Sequence, residues 1–345
     1  MTDFTSLANG IKIQAKQLDF CGVIRLRAKD TTVLEQASGM ANRAESIPNT
    51  QSTRFAIASG SKIFTAVSIC QLVDKNIFGF DSRLKDLVDY TFPHFDPDIT
   101  IHHLLTHSAG IPDYWDEETQ EFEELWHDRP MYRMTSPSDF IPMFQDSKMR
   151  SGPGERFKYN DAGFILLGLV VEKQSGMSFR EYVMQHIFDV SGMKDSGYFY
   201  MDRLPERTAY GYIENKEDGS WKTNFFAVPI VGGPDGGAYT TASDMTRFWA
   251  ALRENRLLSA DTTQVLITPQ IVAEDEGADM HYGYGVWMTV VDGEVLSYNV
   301  GGWDPGVNVW SEIFPRDDIE LTLLSNTNRP MLALRRLLIE AIRAD

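Results

Sequence analysis

Apolar and polar positions change their period twice along the chain. The opening stretch, MTDFTSLANGIKIQAKQL, spaces its apolar residues as an amphipathic helix does. It leads into CGVIRLRAKDTTVLEQASG, where two β-rich runs flank Lys29-Asp30 and predict a hairpin. Residues 59–74 carry Ile63, Phe64, Ala66, Val67, Ile69, Cys70, Leu72 and Val73, apolar nearly all round, and so predict a buried helix. From about 80 to 240 helical patterns are separated by long polar stretches. ITIHHLLTHSAG predicts a short helix stopped by Gly110. NDAGFILLGLVVEKQSG predicts a helix closed at Gly176, and SFREYVMQHIF opens with a capping box of Ser178 and Glu181. TASDMTRFWAALREN predicts a helix with Ser243 at its N-cap. The last third is β-rich again. YGVWMTVVDGEVLSYNV turns at Asp292-Gly293, GVNVWSEIFPRDDIELTLLSN forms a second hairpin, and a helix runs from about Pro330.

Strands at both ends with helices between them predict a mixed α/β (α+β) architecture. The simplest packing is a central antiparallel sheet built from both chain ends, with terminal helices on one face and a mainly helical insertion beside it. Residues 1–78 and 240–345 would form the discontinuous sheet domain and residues 79–239 the insertion.

Composition narrows the function. Of 345 residues, 32 are Lys or Arg and 49 are Asp or Glu, a net charge of −17. That disfavours a nucleic-acid partner, whose phosphates need cations, and disfavours docking on an anionic membrane. The densest acidic run, DEETQEFEE at residues 116–124, reads as a solvated face. Cys21 and Cys70 each lie in apolar segments and read as buried thiols rather than a disulfide framework. No spacing suggests a metal site. No apolar run reaches the ~18 residues of a membrane span, and the start has no signal-peptide core, so a cytoplasmic protein is expected.

One stretch carries candidate chemistry: FAIASGSKIFTA, residues 55–66. A serine hydroxyl is a poor nucleophile until a neighbour takes its proton. Residues three apart on a helix share a face, so Lys62 would sit beside Ser59, and the helix N-terminus favours a developing anion. An N-cap serine is the competing reading. A second Ser-x-x-Lys, Ser191 to Lys194, runs into a turn rather than an apolar helix.

Ser59 gains weight from stretches that follow in order: TRFAIASGSKIFTA, LLTHSAGIPDY, PGERFKYNDAGFILLG, GGAYTTASDMTRFWAAL, YGYGVW and VGGWDPG. With them the chain resembles the serine β-lactamase-like superfamily over roughly residues 20–328. It is most similar to the class C branch, the penicillin-binding DD-peptidases and the related serine carboxylesterases. The resemblance implies a β-lactamase/transpeptidase-like fold, with the active site between sheet domain and insertion, and acyl transfer through a covalent acyl-serine. It assigns Ser59 as nucleophile, Lys62 as its partner, and Tyr159, from the Tyr-x-Asn element, as a proton carrier. It places the oxyanion hole at the backbone N–H groups of Ser59 and Trp303. No metal or organic cofactor is implied.

Two positions depart from the family pattern. The asparagine of Tyr-x-Asn is Asp161. Beside Lys62 it would hold the amine protonated and leave proton transfer to Tyr159; alternatively it only caps the next helix. The third motif, usually Lys-Thr-Gly or His-x-Gly, is Val300-Gly301-Gly302. A valine cannot bind the carboxylate of a β-lactam or a D-Ala-D-Ala end; Lys158 or Arg156 would be a substitute charge. Gly301 and Gly302 keep the strand open for close backbone approach, and Gly236 and Gly237 give a tight approach to the helix after Thr241. His107 reads as a satisfied buried histidine. The aromatic residues of DYW, GVW and GGW fit either an acyl pocket or the core.

These readings predict a serine hydrolase acting on a small ester, amide or peptide, most simply a carboxylesterase-like activity. A penicillin-binding DD-peptidase or weak β-lactamase is the alternative enzyme. A catalytically silent ligand-binding relative is the alternative from another class. The sequence leaves the oligomeric state open.

Overall fold

The computed structural model describes residues 4–115, 120–215, 217–277 and 279–343. Its frame is an eight-stranded antiparallel sheet. In spatial order the strands are Thr31–Ser38, Gly22–Ala28, Ile319–Ser325, Val307–Phe314, Glu294–Asp304, Trp287–Val291, Met280–Tyr282 and Ile271–Val272. The first strand of the chain thus pairs with the last, Gly22 opposite Ser325 and Ala28 opposite Ile319. Both ends of the chain build one sheet, as the β-rich ends predict.

Strand alternation sends each residue set to its own layer. Ile24, Leu26, Leu321 and Leu323 face the terminal helices Phe4–Gln17 and Leu332–Arg343, where they join Leu7, Ile11, Leu334 and Leu338. Val23 and Leu324, one residue out of phase, face the larger core on the other side. Every residue of Ile319–Ser325 is buried, because helices cover both faces. Thr322, the one side chain of that strand with a hydroxyl pointing to the larger core, shares a hydrogen bond with Ser311 Oγ at 2.9 Å.

That larger core surrounds the helix Lys62–Asp74, in which every residue from Lys62 to Leu72 is buried. The helix Asp161–Ser175 packs beside it, apolar nearly all round, with Asn160 as N-cap and Gly176 at φ +72° closing it. The capping box of Ser178 and Glu181 is present. The hairpins at Lys29-Asp30 and Asp292-Gly293 form as predicted, as does the pairing of Val307–Phe314 with Ile319–Ser325.

Three local readings are corrected. The helix over ITIHHLL ends at Leu105, not at Gly110, because His107 turns the chain with φ +54°. Gly110 instead lets the backbone pass Ser151, whose carbonyl oxygen a Cβ would meet at 2.2 Å. The helix Ala242–Arg253 is capped by Thr241, whose side chain accepts from Asp244 N; Ser243 lies inside the first turn. The helix carrying Lys62 begins at Lys62, preceded by a tighter turn, Ala58–Ser61, that holds Ser59. Residues 116–119 of the acidic run lie outside the described residues; Glu121 and Glu124 are exposed, while Phe122 between them is buried. Cys21 and Cys70 are free and buried.

Candidate active site

Ser59 is presented by a stapled turn. Phe55–Ala56 pairs with Tyr239–Thr240. Ile57 N then donates to Ala238 O at 2.8 Å, and Gly237 N donates to Ala58 O at 3.1 Å. Ser61 Oγ donates to Ala58 O at 2.8 Å and accepts from Ala238 N at 2.9 Å. Ala58 itself takes φ +45°, a left-handed conformation unusual for a residue with a Cβ. The neighbouring segment passes so closely that a Cβ on Gly236 would lie 3.3 Å from Ala58. The tight approach expected of Gly236 and Gly237 is therefore made to the Ser59 turn.

Lys62 stands one helical turn on, only 2% exposed. A buried ammonium must place all three N–H bonds. It donates to Ser59 Oγ at 3.0 Å, to Asp161 Oδ1 at 2.5 Å and to the Asp235 carbonyl oxygen at 2.6 Å. Burial opposes its charge, but the carboxylate of Asp161, with Tyr159 and Asp235, outweighs that and raises the Lys62 pKa well above its ordinary value. Asp161 therefore faces the lysine, and the capping role falls to Asn160, whose Oδ1 accepts from Gly163 N at 2.7 Å.

Asp235 reaches Lys62 because its segment presses on the helix Asp161–Ser175. A Cβ on Gly168 would lie 2.0 Å from Pro234, and Thr65 Oγ1 donates to Pro234 O at 2.5 Å. The Asp235 carboxylate accepts from Tyr114 Oη at 2.5 Å. Asp113 accepts from the backbone N–H groups of Asp161 (2.7 Å) and Ala162 (3.0 Å), anchoring the helix start from outside. Burial and the nearby Asp161 push the Asp113 carboxyl up to about 7. None of Asp113, Asp235 or Asp304 was foreseen from the sequence. Asp113 and Asp304 stand in the stretches LLTHSAGIPDY and VGGWDPG, but sequence cannot say which carboxylates converge.

Tyr159 faces both Ser59 and Lys62. Burial pushes its hydroxyl up to about 12; Lys62 works the other way and Asp161 adds to the rise. Its ring lies 5.0 Å from Lys62 Nζ and stacks on Trp287 at 5.8 Å. Behind it is His107, 4.3 Å away ring to ring. His107 Nδ1 accepts from Asn160 N at 3.1 Å, but its buried Nε2 has no partner among the described residues, so the histidine is only half satisfied. Burial, then Lys62, hold its pKa well below the usual value, so it is a neutral wall.

Ser59 opens into a cavity of about 740 Å³, mouth included, which Tyr114, Trp115, Phe140, Asp161, Asp235, Trp303 and Asp304 also line. DYW and GGW thus contribute to the cavity, whereas Trp287 of GVW packs behind Tyr159. Arg156 and Lys158 line a separate, smaller cavity with His107 and Asn160, and supply no charge here. Ser191 and Lys194 do not line the Ser59 cavity.

The model of a family described as Beta-lactamase matches residues 19–343. The chain belongs to the Beta-lactamase family. It is 28% identical to Penicillin-binding protein 4* of Bacillus subtilis (strain 168) over 303 residues, 83% of this chain but 64% of that protein. It is 26% identical to Esterase EstB of Burkholderia gladioli, over 68% of this chain and 66% of that one. Against the crystal structure of a penicillin binding protein from Bacillus halodurans it has 46% identity and a TM-score of 0.90, covering 96% of this chain and 99% of that one. The fold is the β-lactamase/transpeptidase fold of that group. This chain thus spans just under two thirds of the Bacillus subtilis relative.

Val300 stands where the resemblance expects a Lys or His. Val300, 3% exposed, packs in the core with Ile57, Ala58 and Ile63. Among the described residues lining the cavity there is no Lys, Arg or His. Gly302 is required by the close approach of strand and turn: a Cβ there would meet Ile57 O at 2.3 Å and Gly60 N at 2.8 Å. Gly301 points to the other face, where a Cβ would touch the Trp310 ring at 3.3 Å. The next residue, Trp303, lines the cavity mouth beside Ser59.

Proposed function

We propose that the protein is a serine hydrolase that takes the acyl group of a small ester or amide onto Ser59 and releases it to water. The observation that carries this reading is the 3.0 Å contact between Lys62 Nζ and Ser59 Oγ at the floor of a lined cavity. Asp161 keeps Lys62 charged, so the lysine serves as an electrostatic anchor and Tyr159 as the proton carrier. Ser59 Oγ attacks the acyl carbon while its proton passes to the Tyr159 hydroxyl oxygen, which in the same relay gives its own proton to the leaving oxygen or nitrogen as that bond breaks. Water then attacks the acyl-serine and returns a proton to Ser59. The N–H groups of Ser59 and Trp303 would hold the oxyanion, each worth roughly 3 kcal/mol.

Val300 supports a carboxylesterase-like or amidase activity over action on a substrate that needs a cation for its carboxylate. The test is hydrolysis of p-nitrophenyl butyrate by the native protein and by Ser59→Ala, with intact mass to trap the acyl adduct. Turnover and adduct in the native protein alone are expected. Equal turnover by the variant, or none by either folded protein, sinks the reading and favours a silent ligand-binding relative.

A further inference from the structure

We infer that the cavity beside Ser59 receives a positively charged amine, so that the preferred acyl donors are esters, amides or short peptides of amino acids with a free amino group. This rests on the hydrolase reading above and names its substrate class.

Three carboxylates, Asp161, Asp235 and Asp304, line the cavity. Lys62, the ammonium beside Ser59, has all three N–H bonds committed to protein oxygens. Asp235 is tied to Tyr114 through one oxygen. The Asp304 side chain accepts no hydrogen bond from any described residue, although it lies on a central strand directly after Trp303. A wall whose described residues include carboxyl groups and no free cation gains from an entering ammonium, which favours their ionised forms, and gives a further carboxylate no partner.

The carboxylates themselves register this imbalance. Burial first, then Asp161, push Asp304 up to about 8; burial, against the pull of Lys62, pushes Asp235 up to about 6. An ammonium in the cavity would restore the ionised forms. The remaining walls suit such a group: the rings of Tyr114, Trp115, Phe140 and Trp303 offer faces to a cation and apolar area to an amino-acid side chain.

The experiment compares phenylalanine p-nitroanilide, in both enantiomers, with its N-acetyl counterpart at pH 7, and adds competition by 2-phenylethylamine and 3-phenylpropionate against p-nitrophenyl butyrate. The free-amine anilide of at least one enantiomer is expected to exceed the acetylated one by tenfold or more in kcat/KM, chiefly through KM. The amine is expected to inhibit at least tenfold more tightly than the acid. Asp304→Asn should collapse the ratio of free to acetylated substrate towards one. Equal or better use of the acetylated anilide, equal inhibition by amine and acid, or a ratio untouched by a folded Asp304→Asn overturns the proposal. If that variant does not fold, or neither anilide is cleaved, the competition in the native protein decides. If the native protein does not cleave the butyrate ester, the hydrolase reading fails instead, and stabilisation against heat by 2-phenylethylamine but not by 3-phenylpropionate still tests the amine site.

Discussion

The Lys62 ammonium meets the Asp161 carboxylate at 2.5 Å, with Lys62 2% and Asp161 8% exposed. The folded-state pKa of Lys62 is raised, so the lysine's contribution to stability is fully present below its ordinary range and is lost as pH rises through the raised value. Asp161→Ala leaves a buried charge without its partner and should cost about 3–5 kcal/mol in urea denaturation at pH 7. A cost below about 1 kcal/mol would mean the pair contributes little.

Asp161→Asn keeps an oxygen near Lys62 but removes the anion that raises its pKa. The lysine then gives up its proton more readily and can itself serve as base. The acid limb of the kcat/KM profile on p-nitrophenyl butyrate should move to lower pH. An unmoved profile would show that Lys62 protonation does not control the rate.

Asp304 is half-buried, and desolvation raises its carboxyl from 3.8 to about 8. The unfolded chain then loses its proton first, so this group's contribution is full below about pH 4 and declines as pH rises towards 8. Asp304→Asn should match the native protein near pH 4 and exceed it in thermal stability at pH 8, gaining about 1.4 kcal/mol per pH unit crossed at most. Parallel stability curves would contradict the raised carboxyl.

Gly301 and Gly302 should respond oppositely to alanine. Gly302→Ala drives a Cβ into backbone at 2.3 Å and must push the strand, and Trp303 with it, from the Ser59 turn. Activity should fall roughly 10²–10³-fold, as when an oxyanion donor is lost. Gly301→Ala meets only the Trp310 ring at 3.3 Å and should keep most activity. Equal effects of the two would argue against an oxyanion role for Trp303.

A fluorescent penicillin should label Ser59 poorly. The cavity has no free cation among its described lining residues, and Val300 is sealed in the core. Rapid stoichiometric labelling, seen by intact mass, would restore the penicillin-binding reading of the site.

What sequence alone determined was local. The hairpins at Lys29-Asp30 and Asp292-Gly293, the helix closed at Gly176 and the Ser178–Glu181 cap all follow from periodicity and turn chemistry that act within a few residues. Boundaries slipped where two caps competed, as at Thr241 and Ser243, or where a residue with a Cβ turned the chain, as at His107. Ser59 and Lys62 were legible because both lie on one turn of chain. Lys62 meets Asp161 across 99 residues and Asp235 across 173, and sequence could name the first but not choose between cap and ion pair. Only the folded chain decided that choice, buried Val300, kept Arg156 and Lys158 out of the cavity, and gathered Asp161, Asp235 and Asp304 into one. The physical reason is that charge acts through space, and spatial neighbours here are set by which helix faces press together.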